Sequence, residues 1–120
     1  MEQKKFLDIH KELFKVITQL AYARKTNAGL GALFTKTEKV MLAKRLAIIV
    51  MLDYKESIYA IERSLKVSPS TVARFSLQYE RGVYRELLQE IRAQKSFWAF
   101  LEKIIPPRVG RNRFKNFLQF

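Results

Sequence analysis

Near the middle of this 120-residue chain, Leu46-Ala-Ile-Ile-Val-Met-Leu52 runs seven apolar residues without a break. What lies upstream places that run in a helix. Thr35-Lys-Thr-Glu38 has capping-box spacing: the Thr35 hydroxyl can accept from the Glu38 N–H while the Glu38 carboxylate reaches back to the Thr35 N–H. The helix it opens is expected over 35–54. Its second half is apolar on every side, so other elements have to surround it. Seven residues fall far short of the roughly 20 needed to span a bilayer. In a chain this small, so much burial also leads us to expect that a second subunit covers part of this helix.

The flanking segments are read as helices too. Phe6, Ile9, Leu13, Phe14, Ile17, Leu20 and Ala21 recur in steps of three and four, one apolar stripe on an N-terminal dimerisation helix within 1–27. Gly29 and Gly31 then mark a loop. Ser57 caps a short helix whose inward positions are Ile58, Ile61 and Leu65. Ser68 is a favoured N-cap, and Pro69 suits the first helical position, where its missing N–H would have no partner anyway. A second short helix follows to about Glu80, ended by Gly82. Two short helices joined by a tight turn over 57–81 form a helix-turn-helix. Tyr84, Leu87, Leu88, Ile91, Trp98, Leu101 and Ile105 give a C-terminal helix over 83–105, which Pro106-Pro107 stops. A basic, aromatic tail fills 108–120. With no strand-like alternation, the expected fold is all-α, with five to six helices, in a single helical domain over 1–107.

Composition narrows the chemistry. There is no cysteine and one histidine, His10, so thiolate zinc sites, disulfides and histidine clusters are excluded. Glu86 and Glu90, with Arg85 and Lys95 nearby, read as surface charge balancing rather than an acid–base pair. Gly29-Leu-Gly31 lacks the Lys-Ser/Thr of a phosphate loop. No enzyme and no cofactor are expected. Lys and Arg outnumber Asp and Glu by 23 to 11, a formal net charge of +12, which favours a polyanionic partner. No uncharged apolar leader opens the chain, so a cytoplasmic location without a membrane span is expected.

In a DNA-binding reading, the helix beginning at Ser68 enters the major groove. Ser68, Ser70 and Thr71 offer hydroxyls, Arg74 reads a guanine or holds a phosphate, and Lys66, Pro69 and Gln78 complete the candidate surface. Val72 and Phe75 point inward against Ile61 and Leu65. The plainer reading of the same residues is an ordinary helical hairpin within a bundle.

From Thr35 through Tyr84 the segments Leu-Phe-Thr-Lys-Thr-Glu-Lys, Leu-Ala-Lys-Arg-Leu, Ile-Glu-Arg-Ser-Leu-Lys-Val-Ser-Pro-Ser-Thr-Val-Ala-Arg and Gly82-Val-Tyr84 resemble the Trp repressor superfamily. The likeness is to its branch of regulators with no defined ligand rather than to the tryptophan-responsive repressor. It implies an intertwined homodimer whose recognition helices enter successive major grooves, about 34 Å apart, of a palindromic operator. Thr35, Arg45 and Arg74 fall on three ligand-contacting positions of the tryptophan-binding member. Phe75 replaces the glycine of its indole slot, so tryptophan is not carried over as an effector, and Thr35 and Arg45 are assigned to capping and to a structural or phosphate contact. Pro69, Ser70 and Ala73 stand at base-reading positions where the repressor has other residues, so its operator is not carried over.

The charge is unevenly distributed. Residues 57–80 hold Arg63, Lys66 and Arg74 against Glu62 and Glu80, whereas 103–120 hold five cations and no acid. Arg108, Arg111, Arg113 and Lys115 are therefore expected to make nonspecific phosphate contacts, with Lys4, Lys5, Lys11 and Lys15 contributing. The expected function is a homodimeric regulator that binds specific double-stranded DNA. The alternative is a module without sequence preference, binding RNA, single strands or protein through the tail, where Phe114, Phe117, Leu118 and Phe120 supply stacking or docking surface.

Overall fold

The computed structural model describes residues 2–94 and Ala99. Among them every regular element is a helix: α1 (Gln3–Tyr22), α2 (Thr26–Leu33), α3 (Lys36–Asp53), α4 (Ile58–Leu65), α5 (Pro69–Glu80) and α6 (Arg85–Arg92). The chain divides into two compact units, Met1–Met41 and Leu42–Phe120.

In the first unit α1 and α2 form a hairpin. The stripe on α1 splits: Leu13, Ile17 and Leu20 are half-buried, while Phe6, Ile9 and Phe14 remain exposed. His10 stacks on Phe6 and meets Phe14 edge-on, at centroid distances of 6.3 and 4.8 Å, so the lone histidine is an aromatic packing group on an exposed face. The expected loop at Gly29 and Gly31 is corrected, because both lie inside α2. Gly29 is there for closeness rather than for turning. A Cβ at that position would run into the Leu20 side chain, so its absence lets α2 pack tightly on α1. The reversal itself falls on Arg24, in the left-handed region at φ 57°, with Lys25 N–H donating to the Leu20 carbonyl at 2.8 Å.

The second unit holds the hydrophobic core. Ala47 through Leu52 are buried, joined by Tyr54, Ile61, Leu65, Val72, Leu88 and Ile91. Ile48, Val50 and Met51 are at most 1% exposed within a single chain. Within the single chain, α4, α5 and α6 supply apolar partners for Ala47–Leu52. α3, α4 and α5 are each followed by a left-handed residue. Lys55 (φ 64°) follows α3, with Glu56 N–H donating to the Met51 carbonyl at 3.0 Å. Lys66 (φ 54°) follows α4, and Gly82 (φ 76°) follows α5. A lysine in this region costs roughly 1–2 kcal/mol against glycine, and its cation partly offsets that beside the partial negative charge of a helix C-terminus.

The helix expected over 83–105 starts as α6 and closes after Arg92. Ala93 N–H donates to Glu90 and Gln94 N–H to Ile91, at 3.2 and 2.9 Å, in place of continued i→i−4 bonds. Apart from Ala99, which is helical, the rest of that expected helix and the 108–120 tail lie outside the described residues. Among the described residues no helix is long and apolar enough to cross a membrane.

Candidate nucleic-acid interface

α4 opens on Ser57, whose hydroxyl accepts from the Ala60 N–H at 3.0 Å. It buries Ile61 and Leu65 and closes at Lys66, while the expected inward position of Ile58 is corrected: in the first turn it stays exposed. Ser68, in extended backbone, then caps α5 by accepting from the Thr71 N–H at 3.2 Å, with Pro69 in the first turn. The Ser68 hydroxyl lies 2.7 Å from that of Thr71 and 3.2 Å from that of Ser70. Three candidate hydroxyls thus form one hydrogen-bonded cluster at the N-terminus of α5.

Which way α5 faces is decided by its burial. Val72 is 0% exposed, and Phe75 and Tyr79 pack half-buried against the same core. Ser70, Ala73, Arg74 and Leu77 are exposed. At about 100° per residue, Ser70, Arg74 and Leu77 fall within about 60° of one another, on the side away from Val72. The Arg74 guanidinium takes part in no hydrogen bond or ion pair among the described residues, so it is free to meet a partner. Arg63, by contrast, donates to the Tyr59 hydroxyl at 3.0 Å and lies over its ring.

The far end of α5 is clamped by a network that sequence reading missed. Arg92 pairs with Asp53 through its Nε (3.1 Å) and Nη2 (2.7 Å), and Tyr79 donates its hydroxyl to Asp53 Oδ1 at 2.9 Å. The Asp53 side chain is 5% exposed and that of Arg92 is 44% exposed, so the pair is half-desolvated rather than a solvated surface contact. Burial, and then the bond to Asp53, raise the Tyr79 phenol above its ordinary pKa. The hydrogen bond to Asp53 raises that of Arg92. Lys55 lies 5.3 Å over the Tyr79 ring. No local signal marks these residues, since Asp53 stands 26 positions from Tyr79 and 39 from Arg92. Beside the clamp is an open cavity of about 390 Å³, lined by Lys55, Tyr84 and Arg85 among others.

The other candidates are placed as follows. Lys66 is exposed at the turn, and Gln78 is half-buried, its carbonyl accepting the Val83 N–H at 3.2 Å. Arg45 is exposed on α3. Thr35 closes the capping box, with its hydroxyl accepting from Glu38 N–H at 3.1 Å and its own N–H donating to Glu38 Oε1 at 2.9 Å. These bonds hold the Glu38 carboxyl below its ordinary pKa, the backbone one contributing most. Phe75 stacks on Tyr84 at a centroid distance of 6.2 Å and packs against the core. Arg108, Arg111, Arg113 and Lys115 lie outside the described residues.

A family model described as "Trp repressor protein" matches residues 9–92, a span that runs from within α1 to the last residue of α6. No curated protein and no solved structure matches the chain.

Proposed function

The chain belongs to the Trp repressor family, and from that premise we propose that it is a transcriptional regulator binding specific double-stranded DNA as a homodimer. The observation that carries the reading is the free Arg74 guanidinium. It projects beside Ser70 from the exposed face of a capped helix whose opposite face is locked into the core. A short helix presented this way can lie in a major groove, with its N-terminal residues Ser68, Pro69, Ser70 and Thr71 nearest the bases. Arg74 then donates to guanine or to a phosphate, Lys66 and Arg45 meet phosphate oxygens, and Gln78 lies further along the helix.

The homodimer is supported by α1. Phe6, Ile9 and Phe14 are each about 56% exposed on one helix, a surface that a second copy would cover. Two copies would set their recognition helices about 34 Å apart, one turn of B-DNA. The position that follows Arg74 argues against tryptophan as an effector, because the Phe75 ring fills it and is itself part of the packing.

The test is selection from a random double-stranded DNA pool at physiological salt, followed by sequencing of the retained fraction. Enrichment of a palindrome with half-sites one helical turn apart is the expected result. Retention without an enriched motif would overturn the reading in favour of nonspecific attraction by the 103–120 cations. A monomer in light scattering at micromolar concentration would overturn the homodimer.

A further inference from the structure

Leu77 is the one large apolar side chain of α5 left substantially exposed, at 48%. It lies on the same face as Ser70 and Arg74, with the Ala73 methyl beside it. We propose that Leu77 determines specificity in the interface assigned above, and that the group it reads is the C5-methyl of thymine. The proposal rests on the DNA-binding reading and goes further by naming the base chemistry.

Three observations lead there. First, hydrogen-bonding capacity on this face is scarce. The Ser70 hydroxyl lies against that of Ser68, Pro69 has no N–H, and Ala73 has no polar side-chain atom. Of the exposed side chains from Pro69 to Leu77, only that of Arg74 carries hydrogen-bonding groups without a partner. Second, the major-groove edges differ in what they show an apolar side chain. Guanine, adenine and cytosine present donors and acceptors, whereas thymine adds a methyl group. A leucine against the first three would dehydrate polar atoms and return no hydrogen bond, and against thymine it gains apolar contact. It therefore selects as much by exclusion as by attraction. Third, the spacing suits one helix reading one half-site. Leu77 is seven residues beyond Ser70, a rise of about 10 Å, or about three base-pair steps at 3.4 Å. Arg74 lies between them, so a guanine contacted by Arg74 would stand one or two steps from the thymine.

The experiment starts from the duplex enriched in the selection and replaces each half-site thymine in turn by deoxyuridine, which removes only the methyl. Binding is measured for the unaltered protein and for Leu77→Ala. At least one thymine should show roughly fourfold weaker binding as uracil, the worth of one buried methyl. Leu77→Ala should bind the thymine duplex more weakly and no longer distinguish uracil from thymine at that position, the signature of a direct pair in a double-mutant cycle. If every thymine tolerates uracil, or if the sensitivity persists in Leu77→Ala, the proposal is overturned while the DNA-binding function stands. If no motif is enriched, the functional reading fails and this proposal with it. Circular dichroism of Leu77→Ala, unchanged because the side chain is outside the core, separates lost readout from lost fold.

Discussion

The orientation of α5 decides which residues a partner can meet, and it can be tested without any partner by comparing Val72→Ala with Leu77→Ala. Val72 is 0% exposed and packs in the cluster with Ile61 and Leu65, whereas Leu77, five residues later, is 48% exposed. Removing two buried carbons forfeits about 1.6 kcal/mol of transfer free energy at about 0.8 kcal/mol each. A cavity contribution adds to that wherever the surroundings cannot collapse. Alanine returns a few tenths, up to ~0.6 kcal/mol, through helix propensity. The expected net loss for Val72→Ala is therefore about 1.5–3 kcal/mol. Leu77→Ala deletes more atoms, yet half of its surface is already hydrated and leucine is close to alanine in propensity, so the expected loss is under about 1 kcal/mol. Urea denaturation followed by far-ultraviolet circular dichroism measures both, and equal slopes would confirm that the two variants unfold from comparable states. A Val72→Ala loss no larger than that of Leu77→Ala would refute the assignment of faces, and with it the placement of Arg74 on the outward side.

Arg74→Ala should leave the denaturation curve nearly unchanged and weaken binding to the selected duplex by about 1–3 kcal/mol, with relaxed preference at one base pair; an equal loss on all sequences would reassign Arg74 to a phosphate. Gly29→Ala ordinarily stabilises a helix interior by roughly 0.5–1 kcal/mol, but here the added methyl meets Leu20; a net loss of about 1–3 kcal/mol in a denaturant series is expected, and a gain would show that α2 does not pack closely on α1. Glu38 has its pKa depressed below 4.5 by the Thr35 bonds. Its contribution is thus present above that value and lost as pH falls through the lower, folded-state one. Helicity in the wild-type protein should decline over that acid range more than in Glu38→Gln, and parallel profiles would contradict the capping box.

Several parts of this architecture were legible in the sequence because they are local. The caps at Thr35, Ser57 and Ser68 depend on residues three positions apart, and the structure has all three bonds. Of the positions that helical spacing turned inward, Ile61, Leu65 and Val72 are buried, whereas Ile58, in the first turn of α4, is 43% exposed. Glycine misled at Gly29, since a residue that permits turns also permits close approach, and only the neighbouring helix distinguishes the two uses. The ends of α1, α3 and α4 were hard to read for the converse reason: Arg24, Lys55 and Lys66 hold left-handed positions that glycine usually marks. The Asp53, Tyr79 and Arg92 clamp had no sequence signature at all, since three helices must assemble before its members meet. Burial in the second half of α3 was legible from its unbroken apolar run, but the elements that enclose it were not, because α4, α5 and α6 meet that helix only through tertiary packing.

The hydroxyl cluster at Ser68, Ser70 and Thr71 bears on the entropy of association. In an isolated peptide these side chains would sample several rotamers each, and a ligand would have to freeze them at a cost of fractions of a kcal/mol to about 1.5 kcal/mol apiece. Here their heavy atoms are already fixed against one another and against the backbone of α5 by bonds of 2.7–3.2 Å. A molecule docking at this helix end would therefore meet a surface ordered when the protein folded, able to exchange an internal hydrogen bond for an external one by rotating a single O–H.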